Sequence, residues 1–193
     1  MVDKRYLDAQ ALLEDSMRLG VKVLQSGFHP TFIVAIWRGG APIGIALQEM
    51  LRLQGVNADH IAIRTSSYHG IDGRADEVHV YSMNYLIKKV THKDKLLIVD
   101  DVFDTGKSIE AVIQRLHDKA RLNTPHDIRV AVPFYKPTRN LTDRAPDYFL
   151  HETEQWLKFP HSLEGLSIDE MKESRPELLE ILSKAKGSIY ESV

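Results

Sequence analysis

From Leu96 to Ser108 the chain reads LLIVDDVFDTGKS. A short apolar run stops against Asp100 and Asp101, and Asp104 then leads into Thr105-Gly106-Lys107-Ser108. Such a run is a strand buried on both faces, and Ile109, Val112, Ile113 and Leu116 behind it recur at helical spacing. A buried strand feeding a helix through a polar turn is the unit of an α/β sheet. The turn also carries chemistry. Thr105 to Ser108 would place free backbone N–H groups and two hydroxyls at a helix N-terminus, where the macrodipole favours an anion. The carboxylates just before it repel a phosphate, but they accept hydrogen bonds from vicinal hydroxyls or hold Mg²⁺. A sugar phosphate satisfies both halves. Without such a ligand, the acids are ordinary turn residues and Thr105 is an N-cap. A P-loop is excluded, because its pattern requires glycine where Asp101 stands.

The same alternation runs along the chain. Leu13, Met17, Val21 and Leu24 predict an amphipathic helix over residues 3–25, ending at Gly27. TFIVAIW (31–37) reads as a buried strand broken by Arg38-Gly39-Gly40, and Ile43, Leu47, Met50 and Leu51 mark a helix closed near Gly55. HIAIRTSS (60–67), KLLIVDD (95–101) and DIRVAVPFYK (127–136) are further strands, and YHGIDGRADE between the first two is a polar loop. From about residue 165, Leu178, Leu179 and Leu182 after Pro176 predict a terminal helix. The fold expected is α/β, an open, mostly parallel twisted sheet flanked by helices. Ligands bind such sheets beyond the strands' carboxyl ends. That places the Arg38 turn, residues 100–108 and the Lys136 region on one rim. Residues 1–164 are expected to form a single domain and 165–193 a helical tail.

Composition narrows the function classes. At 193 residues, 43% hydrophobic and 27% charged, the chain can bury a substantial core. A net charge of -2 gives no basic field for nucleic acid or an anionic membrane. The absence of cysteine excludes disulfides, thiolate catalysis and zinc–thiolate sites. Asp3, Asp8, Glu14 and Asp15 are unlike a signal peptide, and FIVAIW is far short of the ~20 residues that span a bilayer. A cytoplasmic location is expected. The nine histidines show no metal-ligand spacing.

VDDVFDTGKS resembles the PRPP-binding motif of the type I phosphoribosyltransferases. VAIWRGG is similar to that family's pyrophosphate loop, and SSYHGIDGR to the loop that closes over its active site. VPFYKP and DYFLHETEQWLKFP resemble the purine-binding part of the bacterial hypoxanthine-guanine and xanthine-guanine enzymes. The resemblance implies the type I fold with a small purine-binding hood, and Mg²⁺-dependent transfer of phosphoribosyl from PRPP to a 6-oxopurine. It also implies a homodimer or homotetramer.

Roles follow residue by residue. Arg38 and Gly39 would bind pyrophosphate; alone they read as a plain turn. Ser66, Ser67 and Tyr68 would begin the closing loop and Arg74 bring charge to the leaving group; alone the loop is as well an exposed connection. Asp100 and Asp101 would contact the ribose hydroxyls, with Asp101 on the metal, and Thr105, Gly106, Lys107 and Ser108 would hold the 5′-phosphate. Asp104 is the candidate general base for the purine N7 proton. Lys136 would bond the 6-oxo group; alone it is a surface lysine. Trp156 would stack on the ring and the Leu157 backbone read the other edge; alone the tryptophan is core packing. The xanthine-guanine enzymes carry an acid shortly after this tryptophan, where the chain has Lys158 and His161, so hypoxanthine and guanine are favoured over xanthine. Two alternatives stay open: a PRPP-sensing regulator of the same fold, and transfer to another base such as orotate or adenine. The chain shows neither a helix-turn-helix extension nor excess basic charge, which such regulators usually carry.

Overall fold

A computed structural model of the chain describes residues 4–68, 77–163 and 165–184. Its centre is a sheet of β2 (Phe32–Trp37), β3 (Asp59–Tyr68), β4 (Glu77–Tyr81), β5 (Lys95–Val99) and β7 (Asp127–Ala131), in the order β4-β3-β2-β5-β7. The β2, β3, β5 and β7 strands are parallel, with Val34 opposite Ile61 and Ile98, and Ile98 opposite Val130. The β4 strand runs antiparallel to β3 at one edge.

The unbroken apolar strands reflect burial on both faces. Leu96, Ile98, Val34 and Val130 point into a core with Leu86, Ile109, Val112 and Leu116. These last residues come from α3 (Asn84–Lys89) and α4 (Lys107–Ala120). Leu97, Val99, Ile33 and Ala131 face the opposite core, with Leu19 and Val23 of α1 (Ala9–Gln25) and Ile43, Leu47 and Leu51 of α2 (Gly40–Leu53). Leu96, Leu97 and Ile98 are fully buried, each contributing about 1.5–3 kcal/mol.

Three expectations are corrected. The first helix does not start at residue 3: Asp8 caps it by accepting from the Ala11 N–H at 2.9 Å. Lys4–Tyr6 form strand β1 instead, parallel to β10 (Trp156–Lys158) with Lys4 opposite Trp156. That partner is far away in sequence, so local spacing carries no trace of it. DIRVAVPFYK is not one strand. It divides at Pro133, whose missing N–H cannot continue a ladder, and β8 (Phe134–Tyr135) leaves the main sheet to lie between β6 (Val102–Phe103) and β9 (His151–Glu152). The tail is not a single helix. Ser167 and Glu170 form a capping box on α5 (Ile168–Ser174), and Pro176 stops it and opens α6 (Pro176–Ser183). Among the described residues no helix is long and apolar enough to cross a membrane.

The tail is tied to the N-terminal strand. Lys4 donates to Glu170, and the Ser167 N–H donates to the same carboxylate at 2.9 Å. These bonds hold the Glu170 carboxyl down at about 2 from its ordinary 4.5. A carboxyl with a depressed folded value contributes stability above its unfolded value and loses it as pH falls. Urea unfolding of the wild type and Glu170→Gln is therefore expected to differ at pH 6, with the gap closing from about pH 4.5 towards 2. A gap independent of pH would refute this ion pair as its source.

Candidate active site

The rim is built by the turns that leave β2, β5 and β7. At the β2 exit, the Trp37–Arg38 peptide is cis and Gly39 precedes α2. A Cβ on Gly39 would sit 1.9 Å from Asp101 Oδ2, and one on Gly40 would sit 2.4 Å from the Val99 carbonyl oxygen. The Gly39–Gly40 turn and the acidic pair are thus pressed together by the absence of side chains. Gly39 has ordinary right-handed dihedrals (φ -61°, ψ -38°), so space alone demands glycine there.

Asp100 accepts from the Asp101 N–H at 2.9 Å. Desolvation, and then the adjoining Asp101 carboxylate, push the Asp100 carboxyl well above the usual carboxylate range. Asp101 also lies 3.3 Å from His161 Nε2. Gly106 follows in the left-handed region (φ +78°), where a Cβ would meet Thr142 Oγ1 at 2.6 Å and the Phe103 ring at 2.8 Å. This glycine lets the turn pass directly into α4, whose first N–H groups lack intrahelical acceptors. Asp100 to Gly106 and Ser108 line a cavity of about 210 Å³ there.

A second cluster adjoins the first. The Lys136 N–H bonds the Phe103 carbonyl at 2.9 Å and the Leu141 N–H bonds that of Thr105 at 3.0 Å, so residues 136–141 lie along the acidic turn. Lys136 is 3% exposed, with Nζ 3.3 Å from Asp104 Oδ2. Arg139 Nε takes the other oxygen, Oδ1, at 2.6 Å. Lys136 Nζ stands 5.8 Å and Lys158 Nζ 5.9 Å from the centre of the Trp156 ring. Trp156 is 47% exposed, as a stacking platform requires and a core residue would not be. A depression of about 610 Å³, lined by Asp101, Trp156, Leu157 and Lys158 among others, shares Asp101 with the first cavity. Another depression, of about 670 Å³ between β4 and α4, contains none of the three acids at 100, 101 and 104, so size alone does not locate the site.

The sequence-predicted residues at 38–39, 100–106, 108, 136 and 156–157 therefore meet on one rim, whereas Lys107 lines the depression between β4 and α4. Leu157 lies in β10, where it pairs with Arg5 of β1. Ser66, Ser67 and Tyr68 do not begin a loop: they are the end of β3, paired with His79, Val78 and Glu77. Ser66 Oγ is buried and has no hydrogen-bond partner among the described residues. Arg74 lies outside the described residues. Sequence reasoning missed Arg139, although its place three residues beyond Lys136, across a 3₁₀ turn (Pro137–Arg139), puts both side chains on one side. It also left His161 without a role.

Residues 3–170 match the phosphoribosyl transferase domain family. The chain belongs to that family. It is 30% identical over 152 residues to the bifunctional protein PyrR of Roseiflexus sp. (strain RS-1), spanning 75% of this chain and 79% of that one. Among solved structures it resembles a purine phosphoribosyltransferase from Pyrococcus horikoshii, with 26% identity and a TM-score of 0.62 over 82% of this chain and 93% of that one. The Helicobacter pylori xanthine-guanine-hypoxanthine phosphoribosyltransferase shares the fold at 21% identity, TM-score 0.60, covering 94% and 99%. A Neisseria gonorrhoeae protein with bound ppGpp shares it at 20% identity and TM-score 0.70, over 90% and 96%. The chain is thus a type I phosphoribosyltransferase by sequence family and fold.

Proposed function

We propose that this phosphoribosyltransferase transfers the 5-phosphoribosyl group from PRPP to a 6-oxopurine, giving IMP or GMP and pyrophosphate, as a cytoplasmic homodimer or homotetramer. The observation that carries the base assignment is Lys136. Its buried ammonium stands between the Asp104 carboxylate (3.3 Å) and the exposed Trp156 ring (5.8 Å). A base stacked on that ring would find a donor for a carbonyl beside an acceptor for a ring N–H. Adenine offers an amino group where the ammonium asks for an acceptor.

Asp104 accepts the N7 proton as N9 bonds C1′ and the C1′–O bond to pyrophosphate breaks. For this, Lys136 must pass from Asp104 to the 6-oxo oxygen, leaving Arg139 to hold the carboxylate. The Thr105–Ser108 turn takes the 5′-phosphate on its open N–H groups, and the Arg38–Gly39 turn receives the departing pyrophosphate. Ser67 and Tyr68, at the end of β3, and Arg74 would complete the PRPP contacts. The acidic pair suits Mg²⁺, an ion that takes one or two carboxylates plus substrate oxygens and needs no all-protein cage. Burial, and after it the neighbouring Asp101 carboxylate, press the Asp100 carboxyl upward, and a cation at the pair would offset both. Asp101, with Asp100 beside it, would hold the ion, which would neutralise charge on the leaving group.

The test is nucleotide formation from PRPP and Mg²⁺ with hypoxanthine, guanine, xanthine and adenine in parallel. Product is expected with hypoxanthine and guanine and none with adenine. PRPP binding without product from any base would replace the enzyme with a PRPP-sensing protein.

A further inference from the structure

The loop after Trp156 is held from behind by the tail. Arg175, between α5 and α6, is 8% exposed, and its guanidinium donates to four main-chain carbonyls of that loop. Nη2 reaches Phe159 O at 2.7 Å and Lys158 O at 3.4 Å, and Nη1 reaches Pro160 O and Ser162 O at 3.3 Å each. Among the described residues its guanidinium bonds these carbonyls and no carboxylate. A buried guanidinium without a counter-ion is costly unless its planar fork of N–H groups meets oriented dipoles. Residues 158–162 supply them by curling inward, so the curl and the buried cation depend on each other.

What this loop carries explains why the curl matters. Lys158 Nζ lies 5.9 Å from the Trp156 ring centre, Phe159 packs edge-on against Phe134 at 5.9 Å, and His161 reaches Asp101 at 3.3 Å. The tail grips the platform a second time through Glu170 and Lys4, since β1 is paired with the strand that bears Trp156. Pro176 ends α5 at the point where Arg175 turns into the loop.

We propose that Arg175 is a positioning residue for the base. The α5–α6 tail is a brace that sets the curl of residues 158–162, and through it the Trp156 platform and the His161–Asp101 contact. The part concerning the base rests on the oxopurine reading above. Packing of the tail alone would make Arg175 a matter of stability only.

The test uses the full chain with Arg175→Ala and Arg175→Lys, the latter keeping the charge but not the fork. Amide hydrogen exchange at residues 156–162, measured without ligand, is expected to quicken by about ten-fold or more in Arg175→Ala. The KM for hypoxanthine and guanine should rise about ten-fold while that for PRPP stays within about two-fold, with Arg175→Lys between. A lower melting temperature with unchanged exchange at 156–162 and unchanged KM for the base overturns the proposal. Should Arg175→Ala not fold, Arg175→Lys gives the same two readouts. If the wild type uses no oxopurine, the functional reading fails, and the exchange pattern still decides the brace: no local change in 156–162 refutes it.

Discussion

Gly39→Ala is expected to weaken PRPP binding by about 100-fold or more while leaving the protein folded. The added Cβ would lie 1.9 Å from Asp101 Oδ2 and 2.2 Å from its carboxyl carbon, so one of the two must give way. Gly39 already has helical dihedrals, and alanine costs it no backbone strain. The Asp101 carboxylate is the end of a short side chain, and it is the group that moves. Its displacement removes the proposed metal contact and breaks the approach to His161, with little loss in the core. Calorimetric titration with PRPP and Mg²⁺ measures the first effect, and the melting temperature measures the second. Gly27→Ala is the contrasting control: its φ of +76° makes alanine strained, yet nothing lies within 4 Å of the new Cβ. It should cost about 1 kcal/mol of stability and leave PRPP binding unchanged. Equal PRPP affinity in wild type and Gly39→Ala would remove Asp101 from the ligand site.

The second large effect falls on Asp104. Asp104→Asn is expected to slow turnover by about 100-fold or more, with the KM for PRPP changed little, because the amide cannot take the N7 proton. It has a structural cost as well. Lys136, 4% exposed at its side chain, then loses a full negative charge at 3.3 Å. Breaking a buried pair costs about 3–5 kcal/mol, and the 29% exposure of Asp104 and the remaining amide oxygen bring this towards the low end or below. The melting temperature should fall by a few degrees. Wild-type turnover in Asp104→Asn would show that the carboxylate serves only to neutralise Lys136 and Arg139.

How much of this was legible depended on the range of the interactions. The β5 strand, the acidic turn and α4 were readable because burial on both faces leaves a continuous apolar run, and because a helix repeats its apolar positions within one turn. The turn into α4 was readable for the same reason: strand, turn and helix N-terminus occupy consecutive residues. The start of α1 was misjudged, because Lys4–Tyr6 pair with Trp156–Lys158 across nearly the whole chain. The break at Pro133 had a local signal in proline's missing N–H, yet its consequence, a strand leaving for another sheet, depends on β6 and β9. Arg139 had a signal in its spacing from Lys136; Arg175 had none, since the main-chain carbonyls it bonds are alike for every residue type and carry no identity in sequence.

The sequence by itself determined the α/β class, the direction of the parallel strands and the chemistry gathered at their carboxyl ends. Each of these follows from periodicity and residue type within about twenty neighbours. Only the tertiary structure decided which groups meet: Asp101 against Gly39, and Asp104 between Lys136 and Arg139. Such contacts are made by close packing between segments far apart in the chain, and a side chain's partner across that distance is set by the shape of the whole fold.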